Sequence, residues 1–265
     1  MEGVLWHSNR PMTGLAAFLN LLLEDEQFEF LLETNNAGRS AQTYVEKAAS
    51  YGVTITPDRV LTAGAVTLQY LQDYYPPMTP MYLIGEAGLV QLLKSAGYYI
   101  LSEKEAQYTT AEVVVVGVDR FATYEKMAMA ATHIKRGADF IATNADTNIP
   151  ADGSVRPSTG ALIAFIQTAC GLPPRIIGKP NKLHFQEALR RLNCKPHEAA
   201  FIGDTLETDI AGAKEAGLHT ILLLTGNTTS HQSRTSHIQA DVILPDLRAL
   251  TEELRTLQEY RERRR

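Results

Sequence analysis

Three short stretches hold residue types that handle phosphate and metal. Gly203-Asp204-Thr205-Leu206-Glu207-Thr208-Asp209 follows the apolar run Ala200–Ile202 and sets two aspartates five positions apart. Carboxylates so placed offer the hard oxygen ligands that Mg²⁺ prefers. The same Asp and Thr residues can instead cap a following helix with no metal at all, and the spacing alone does not choose. Gly178-Lys179-Pro180 puts a lysine just after Ile176–Ile177. Its ammonium can act as a point charge on a phosphoryl group or simply lie in solvent. Thr34-Asn35-Asn36-Ala37-Gly38-Arg39-Ser40 gathers a hydroxyl, two amides and a helix start, all able to donate to an anion. An Asn-rich turn with Ser40 as N-cap uses the same residues.

The elements that must position these residues alternate in type. Short apolar, β-branched runs predict strands at Phe28–Leu32, Met81–Ile84, Val113–Val118, Phe140–Thr143, Ile176–Ile177, Ala200–Ile202, Thr220–Leu224 and Val242–Leu244. Between them, helical periods cover 14–24, 40–51, 64–74, 86–96, 123–136, 158–170, 182–193, 208–216 and 247–262. Gly52, Gly97, Gly137, Gly171 and Gly217 each follow a helical pattern, where a left-handed cap is wanted. Such alternation implies an α/β fold, a parallel sheet with helices on both faces. Ligands then bind at the carboxyl ends of the strands, where the polar clusters at 33–36, 144–146 and 203–205 fall.

Composition narrows the function classes. Of 265 residues, 45% are apolar and 21% charged, which fits an ordered globular protein and not a disordered one. A net charge of −5 gives no overall basic field for a polyphosphate backbone, so nucleic acid is not expected as a partner. Cys170 and Cys194 do not make a disulfide framework. No apolar run approaches the ~20 residues of a membrane span, and the start Met1-Glu2-Gly3-Val4 has no signal-peptide pattern. The expectation is a cytoplasmic protein that neither crosses nor binds a membrane. The terminal Arg261-Glu262-Arg263-Arg264-Arg265 complements a helix dipole. No G-x-G-x-x-G follows an early strand, which argues against a dinucleotide-binding oxidoreductase.

In chain order, Glu2-Gly3-Val4-Leu5, Thr34-Asn35-Asn36, Gly178-Lys179-Pro180 and Gly203-Asp204 through Thr208-Asp209 resemble the four motifs of the haloacid dehalogenase-like phosphatases. The resemblance is nearest to the type IIA branch, which inserts its cap between the second and third motifs. That branch includes p-nitrophenyl, sugar, phosphoglycolate and pyridoxal phosphatases. Tyr82–Gly88, Phe140–Asp146, Gly178–Asn181 and Ala240–Asp246 extend the likeness over essentially the whole chain.

The resemblance implies a Rossmann-like parallel-sheet core at 1–76 and 177–265, with an inserted α/β cap at 77–176. It implies hydrolysis of small phosphorylated metabolites, such as sugar phosphates, through an aspartyl-phosphate with Mg²⁺. Thr34 would bind the transferring phosphoryl group with Asn35 and Asn36 beside it, and Lys179 would balance its charge. Asp204 would ligate the metal, and Asp209 would do so directly or through water. Glu2 would occupy the acid/base position, its carbonyl reaching the metal. Asp146, Asn148 and Ile149 would belong to a substrate-choosing cap loop that runs to Pro150. Relatives with pyridoxal phosphatase activity carry a histidine near the position of Ile149. A homodimer through the cap is one arrangement found among relatives.

Two departures carry consequences. Glu2 stands where these relatives have Asp, which moves the carboxylate by one methylene and predicts altered turnover. The nucleophilic Asp of the pattern would lie immediately before Met1, together with the central apolar strand. We therefore expect Met1 to be an internal methionine of a longer opening. The alternative is a relative that holds a phosphorylated ligand without turnover.

Overall fold

A computed structural model describes residues 1–149 and 154–263, so Pro150 and the two terminal arginines lie outside the described residues. The chain opens with a hairpin of β1 (Trp6–His7) and β2 (Arg10–Pro11), then α1 (Leu15–Glu24), β3 (Leu32–Thr34) and α2 (Ala41–Ser50). β4 (Val60–Thr62), α3 (Ala63–Tyr74), β5 (Pro80–Ile84), α4 (Ala87–Ser95) and β6 (Tyr99–Ile100) follow. Next come β7 (Val113–Val116), α5 (Tyr124–Lys135), β8 (Asp139–Ala142), β9 (Asn148–Ile149), β10 (Arg156–Pro157) and α6 (Thr159–Cys170). The remainder is β11 (Arg175–Ile176), α7 (Lys182–Leu192), β12 (Ala200–Gly203) and α8 (Ala211–Glu215). It closes with β13 (His219–Leu223), α9 (Ser230–Thr235), β14 (Val242–Leu244) and α10 (Leu247–Glu262). The five glycines expected to close helices all have positive φ, as with Gly171, which ends α6 at φ 77°.

Two compact units form. One comprises Thr34–Thr43 and Leu61–His184. Its sheet runs β11-β8-β7-β5-β6, all neighbours parallel, with Met81 beside Val113 and Val113 beside Asp139. Val113–Val116 are fully buried because both sheet faces are covered. Tyr82, Ile84, Val114, Val116, Phe140 and Ala142 turn to one face and pack on α5 and α6 through Ala130, Ile134, Ile163 and Ile166. The alternate residues point the other way. The expected insert 77–176 lies wholly within this unit, which also takes in Thr34–Thr43, 61–76 and 177–184.

The other unit comprises Met1–Glu33, Tyr44–Val60 and Phe185–Arg265. Its parallel sheet is β12-β13-β14, so β12 is an edge strand. Phe185, Leu189 and Phe201 pack with Ala213 and Leu218 in its core. At the opening hairpin, Trp6 stacks on Tyr44 and Lys47 sits 4.5 Å over the Trp6 ring.

One expected strand is displaced. Phe28–Leu32 was to be a strand, but the structure gives Leu32–Thr34. Phe28–Leu31 border an apolar cavity of about 570 Å³ instead of a neighbouring strand, and an extended segment without a ladder partner is not sheet. The helical pattern expected at 208–216 is also divided. A wide helical turn at Leu206–Ile210 leads into α8, because the Asp209 carboxylate folds back onto the amides of Asp204 and Thr205.

Candidate active site

The candidate residues form two clusters, one in each unit. In the unit of Thr34–Thr43 and Leu61–His184, the polar residues stand at the carboxyl ends of strands. Thr34 ends β3, and its hydroxyl accepts from the Asn36 amide at 3.2 Å. Asn36 Oδ1 in turn accepts from the Gly38 amide at 2.8 Å. This turn leaves Asn35 pointing into the loops after β8 and β11.

Asn35 ties those loops together. Its Nδ2 donates to Asp146 Oδ1 at 3.0 Å and to the Lys179 carbonyl at 3.1 Å. Its Oδ1 accepts from the Lys179 amide at 2.9 Å, and its own carbonyl accepts from Asn144 Nδ2 at 2.7 Å. Gly178 makes this closeness possible, since a Cβ there would run into the Thr143 carbonyl and Asn35 Oδ1. Lys179 is only 8% exposed, and a buried ammonium is costly unless anions or dipoles face it. Asp146 is half-buried, and its amide donates to Asn144 Oδ1 at 3.0 Å. Asn148 is exposed and Ile149 half-buried on the β9–β10 hairpin, two and three positions further on. A bidentate pair, Arg120 to Glu86 at 2.5 and 3.0 Å, braces the carboxyl ends of β5 and β7.

The second cluster surrounds Asp204 at the end of β12. Asp204 and Asp209 are each 5% exposed. Asp209 Oδ2 accepts from the amides of Asp204 and Thr205 at 3.1 and 3.3 Å, which fixes the turn. Asp204 Oδ2 accepts from the Asn227 amide at 2.8 Å, and the Asp204 carbonyl accepts from the Thr228 amide at 3.0 Å. A Cβ at Gly3 or Gly226 would overlap the Asp204 carboxylate, so both segments approach it as only glycine can. Gly3 also has φ 76°. Thr225 Oγ1 donates to the Gly3 carbonyl at 2.7 Å, tying the opening turn to this loop.

Glu2 precedes that turn, and its carboxylate accepts from the Ser8 amide at 2.6 Å. His7 stands 3.8 Å from the same carboxylate and donates from Nε2 to the Thr225 carbonyl at 2.8 Å. Among the described residues no group of three or more His, Cys, Asp and Glu side chains gathers as a metal cage. The donor chemistry nevertheless suits a hard divalent cation. Asp204 and Asp209 are two buried aspartates that offer oxygen ligands, with no sulfur or imidazole needed.

Sequence reasoning singled out Thr34, Lys179, Asp204 and the 144–146 cluster from their places at strand ends. It did not single out the 225–228 loop. The signal for the loop was present: Thr225-Gly226-Asn227-Thr228 follows the strand β13 just as the other polar clusters follow theirs.

Comparison with known proteins gives the chain a family. Residues 1–99 match the family described as haloacid dehalogenase-like hydrolase, and residues 176–250 match a HAD-hydrolase-like family. The acid sugar phosphatase of Staphylococcus epidermidis is 30% identical over 254 residues, covering 96% of this chain and 95% of that protein. The p-nitrophenyl phosphatase from Archaeoglobus fulgidus superposes with a TM-score of 0.86 at 29% identity, over 95% of this chain and 96% of that one. The glycerol phosphate phosphatase of Mycobacterium tuberculosis, solved in complex with magnesium, gives 0.85 at 28% identity, over 94% and 74%. The chain thus belongs to the haloacid dehalogenase-like hydrolases, in the phosphatase branch that carries a type IIA cap.

Proposed function

We propose that this phosphatase hydrolyses small phosphate monoesters, sugar phosphates foremost, with Mg²⁺ as its cation. The single observation behind the reading is Asp204, a buried carboxylate at a strand end that Gly3 and Gly226 both approach too closely for any side chain. The names of relatives that act on sugar phosphates, p-nitrophenyl phosphate and glycerol phosphate support the substrate class.

Asp204 and Asp209 would hold the cation, which when bound neutralises charge on the transferring phosphoryl oxygens. Thr34 would offer its hydroxyl to a bound phosphoryl group, and Lys179 would supply a fixed positive charge. Asn35 holds Lys179 and Asp146 in register. Glu2 gives a proton to the leaving alcohol and takes one from the water that completes hydrolysis.

A second reading, binding a phosphorylated ligand without turnover, draws on one observation: Glu2, the acidic residue of the opening turn, is already bonded to the Ser8 amide. Phosphate release from p-nitrophenyl phosphate and a sugar-phosphate panel separates the two readings, with Mg²⁺ and with Asp204→Asn as blank. Turnover by a form carrying Asp before Met1, lost in Asp204→Asn, supports hydrolysis. Retained orthophosphate binding with no turnover in any form supports the binder.

A further inference from the structure

The opening hairpin carries a histidine that none of the chemistry above employs. The His7 side chain is 54% exposed, yet both nitrogens of its ring face protein groups. Nε2 lies 2.8 Å from the Thr225 carbonyl, and because a carbonyl can only accept, Nε2 is a protonated nitrogen. Nδ1 faces the Glu2 carboxylate at 3.8 Å. Both chain neighbours of His7 are fixed. Trp6 is buried and stacked on Tyr44, and the Ser8 carbonyl accepts from Lys47 Nζ at 2.6 Å. With Trp6 turned into the core, strand alternation turns His7 outward, where it meets the loop after β13.

That loop depends on its anchors. The Leu224 amide still donates to the Leu244 carbonyl at 3.0 Å, after which Thr225-Gly226-Asn227-Thr228 leaves the sheet. Gly226 has no room for a side chain against Asp204, and a glycine leaves the path of the backbone open. Local preference therefore does not set where the Asn227 amide lands; the fixed points on either side do. On one side the opening segment holds Thr225 twice, its carbonyl through His7 Nε2 and its Oγ1 through the Gly3 carbonyl at 2.7 Å. On the other, the loop grips the Asp204 turn. The Asn227 amide donates to Asp204 Oδ2 at 2.8 Å, the Thr228 amide to the Asp204 carbonyl at 3.0 Å, and Asn227 Nδ2 to Thr205 Oγ1 at 3.0 Å.

We propose that His7 is a positioning residue for the cation site. By fixing Thr225 it sets the Asn227 amide on Asp204, and so sets the direction in which the Asp204 carboxylate points. Groups that orient a metal ligand from behind raise the affinity of the site. The inference rests on the cation role given to Asp204 under the proposed function, and it assigns His7 no proton transfer. A histidine merely solvated on the hairpin would leave the Asn227 amide unaffected by its removal.

The test compares His7→Ala and His7→Gln in the full chain, since the terminal amide of glutamine can still donate to the Thr225 carbonyl. Hydrogen exchange at the Asn227 and Thr228 amides is read without Mg²⁺. Mg²⁺ affinity is read by calorimetric titration, with Asp204→Asn as blank. His7→Ala is expected to speed exchange at both amides by about tenfold. It should weaken Mg²⁺ by about three- to tenfold, less than the roughly ten- to hundredfold of a group touching the ligand itself. His7→Gln should restore both to within about twofold. The β13 amides should keep their protection and the thermal midpoint should move by less than about 3 °C, which separates positioning from a general loss of stability. Unchanged exchange in His7→Ala, exchange equally fast throughout β13, or a glutamine variant no better than alanine overturns the inference. So does unchanged Mg²⁺ affinity in His7→Ala when Asp204→Asn has lost it. Wild type that binds Mg²⁺ no better than Asp204→Asn sinks the cation reading instead, and the exchange result with its glutamine rescue then decides alone whether His7 positions Asp204.

Discussion

Asn35 shows how one side chain can set the geometry of several others. Its amide must donate at one end, to Asp146 and the Lys179 carbonyl, and accept at the other, from the Lys179 amide. Asn35→Asp removes the donor and sets two carboxylates against each other. It should therefore be at least as damaging as Asn35→Ala, with each costing about 1–3 kcal/mol of stability for the groups left unpaired. Denaturant unfolding of the two variants checks the order; an Asp variant as stable as wild type would contradict it. Gly3 makes a parallel case. Gly3→Ala meets both a left-handed φ of 76° and the Asp204 carboxylate, so a loss of roughly 1–2 kcal/mol from the backbone alone is expected. The displaced Asp204 should also weaken Mg²⁺ binding, measured by calorimetric titration. Unchanged affinity would show that Asp204 is not a ligand.

His133 in α5 joins burial to pH. It is fully buried beside Tyr82, ring centroids 5.3 Å apart, and Nδ1 accepts from the Ala111 amide at 3.2 Å. Its Nε2 has no hydrogen-bond partner among the described residues. Burial, and after it the charge of Arg136, hold its pKa below the usual histidine value. The unfolded chain takes up a proton near pH ~6.5 while the folded one stays neutral. Its contribution is thus intact above that pH and is lost as pH falls. His133→Gln should flatten the decline of the thermal midpoint between about pH 6.5 and 5; an unchanged slope would rule out this residue as its source.

Strand and helix periods were legible where local pattern and burial agree, as in Val113–Val116 and 247–262. They misled where a tertiary partner decides. Phe28–Leu31 reads as strand but lies against a cavity, and the 208–216 pattern is broken by a carboxylate bonding to amides behind it. The site divides the same way. Lys179 and Asp204 are marked by side-chain type at strand ends. The loop at 225–228 acts largely through its Asn227 and Thr228 amides, so its place after β13, and not a side-chain type, is what marks it in the sequence.

At the scale of the whole molecule, the chain carries two sets of groups for one kind of chemistry. The unit of Thr34–Thr43 and Leu61–His184 holds the hydroxyl, amides and buried ammonium suited to an anion, and the other unit holds the buried carboxylates suited to a cation. No described helix is long and apolar enough to cross a membrane. Chelation of divalent metal should abolish turnover of an active form, and Mg²⁺ should restore it. Persistence of full activity in excess chelator would remove the cation from the mechanism.

The most direct measurement is phosphate release from a sugar-phosphate panel by the chain with an apolar strand ending in Asp joined to Met1, beside its Lys179→Met and Asp204→Asn variants. The account predicts Mg²⁺-dependent turnover that falls by more than about a hundredfold in each variant. Turnover that survives either substitution undiminished would contradict it.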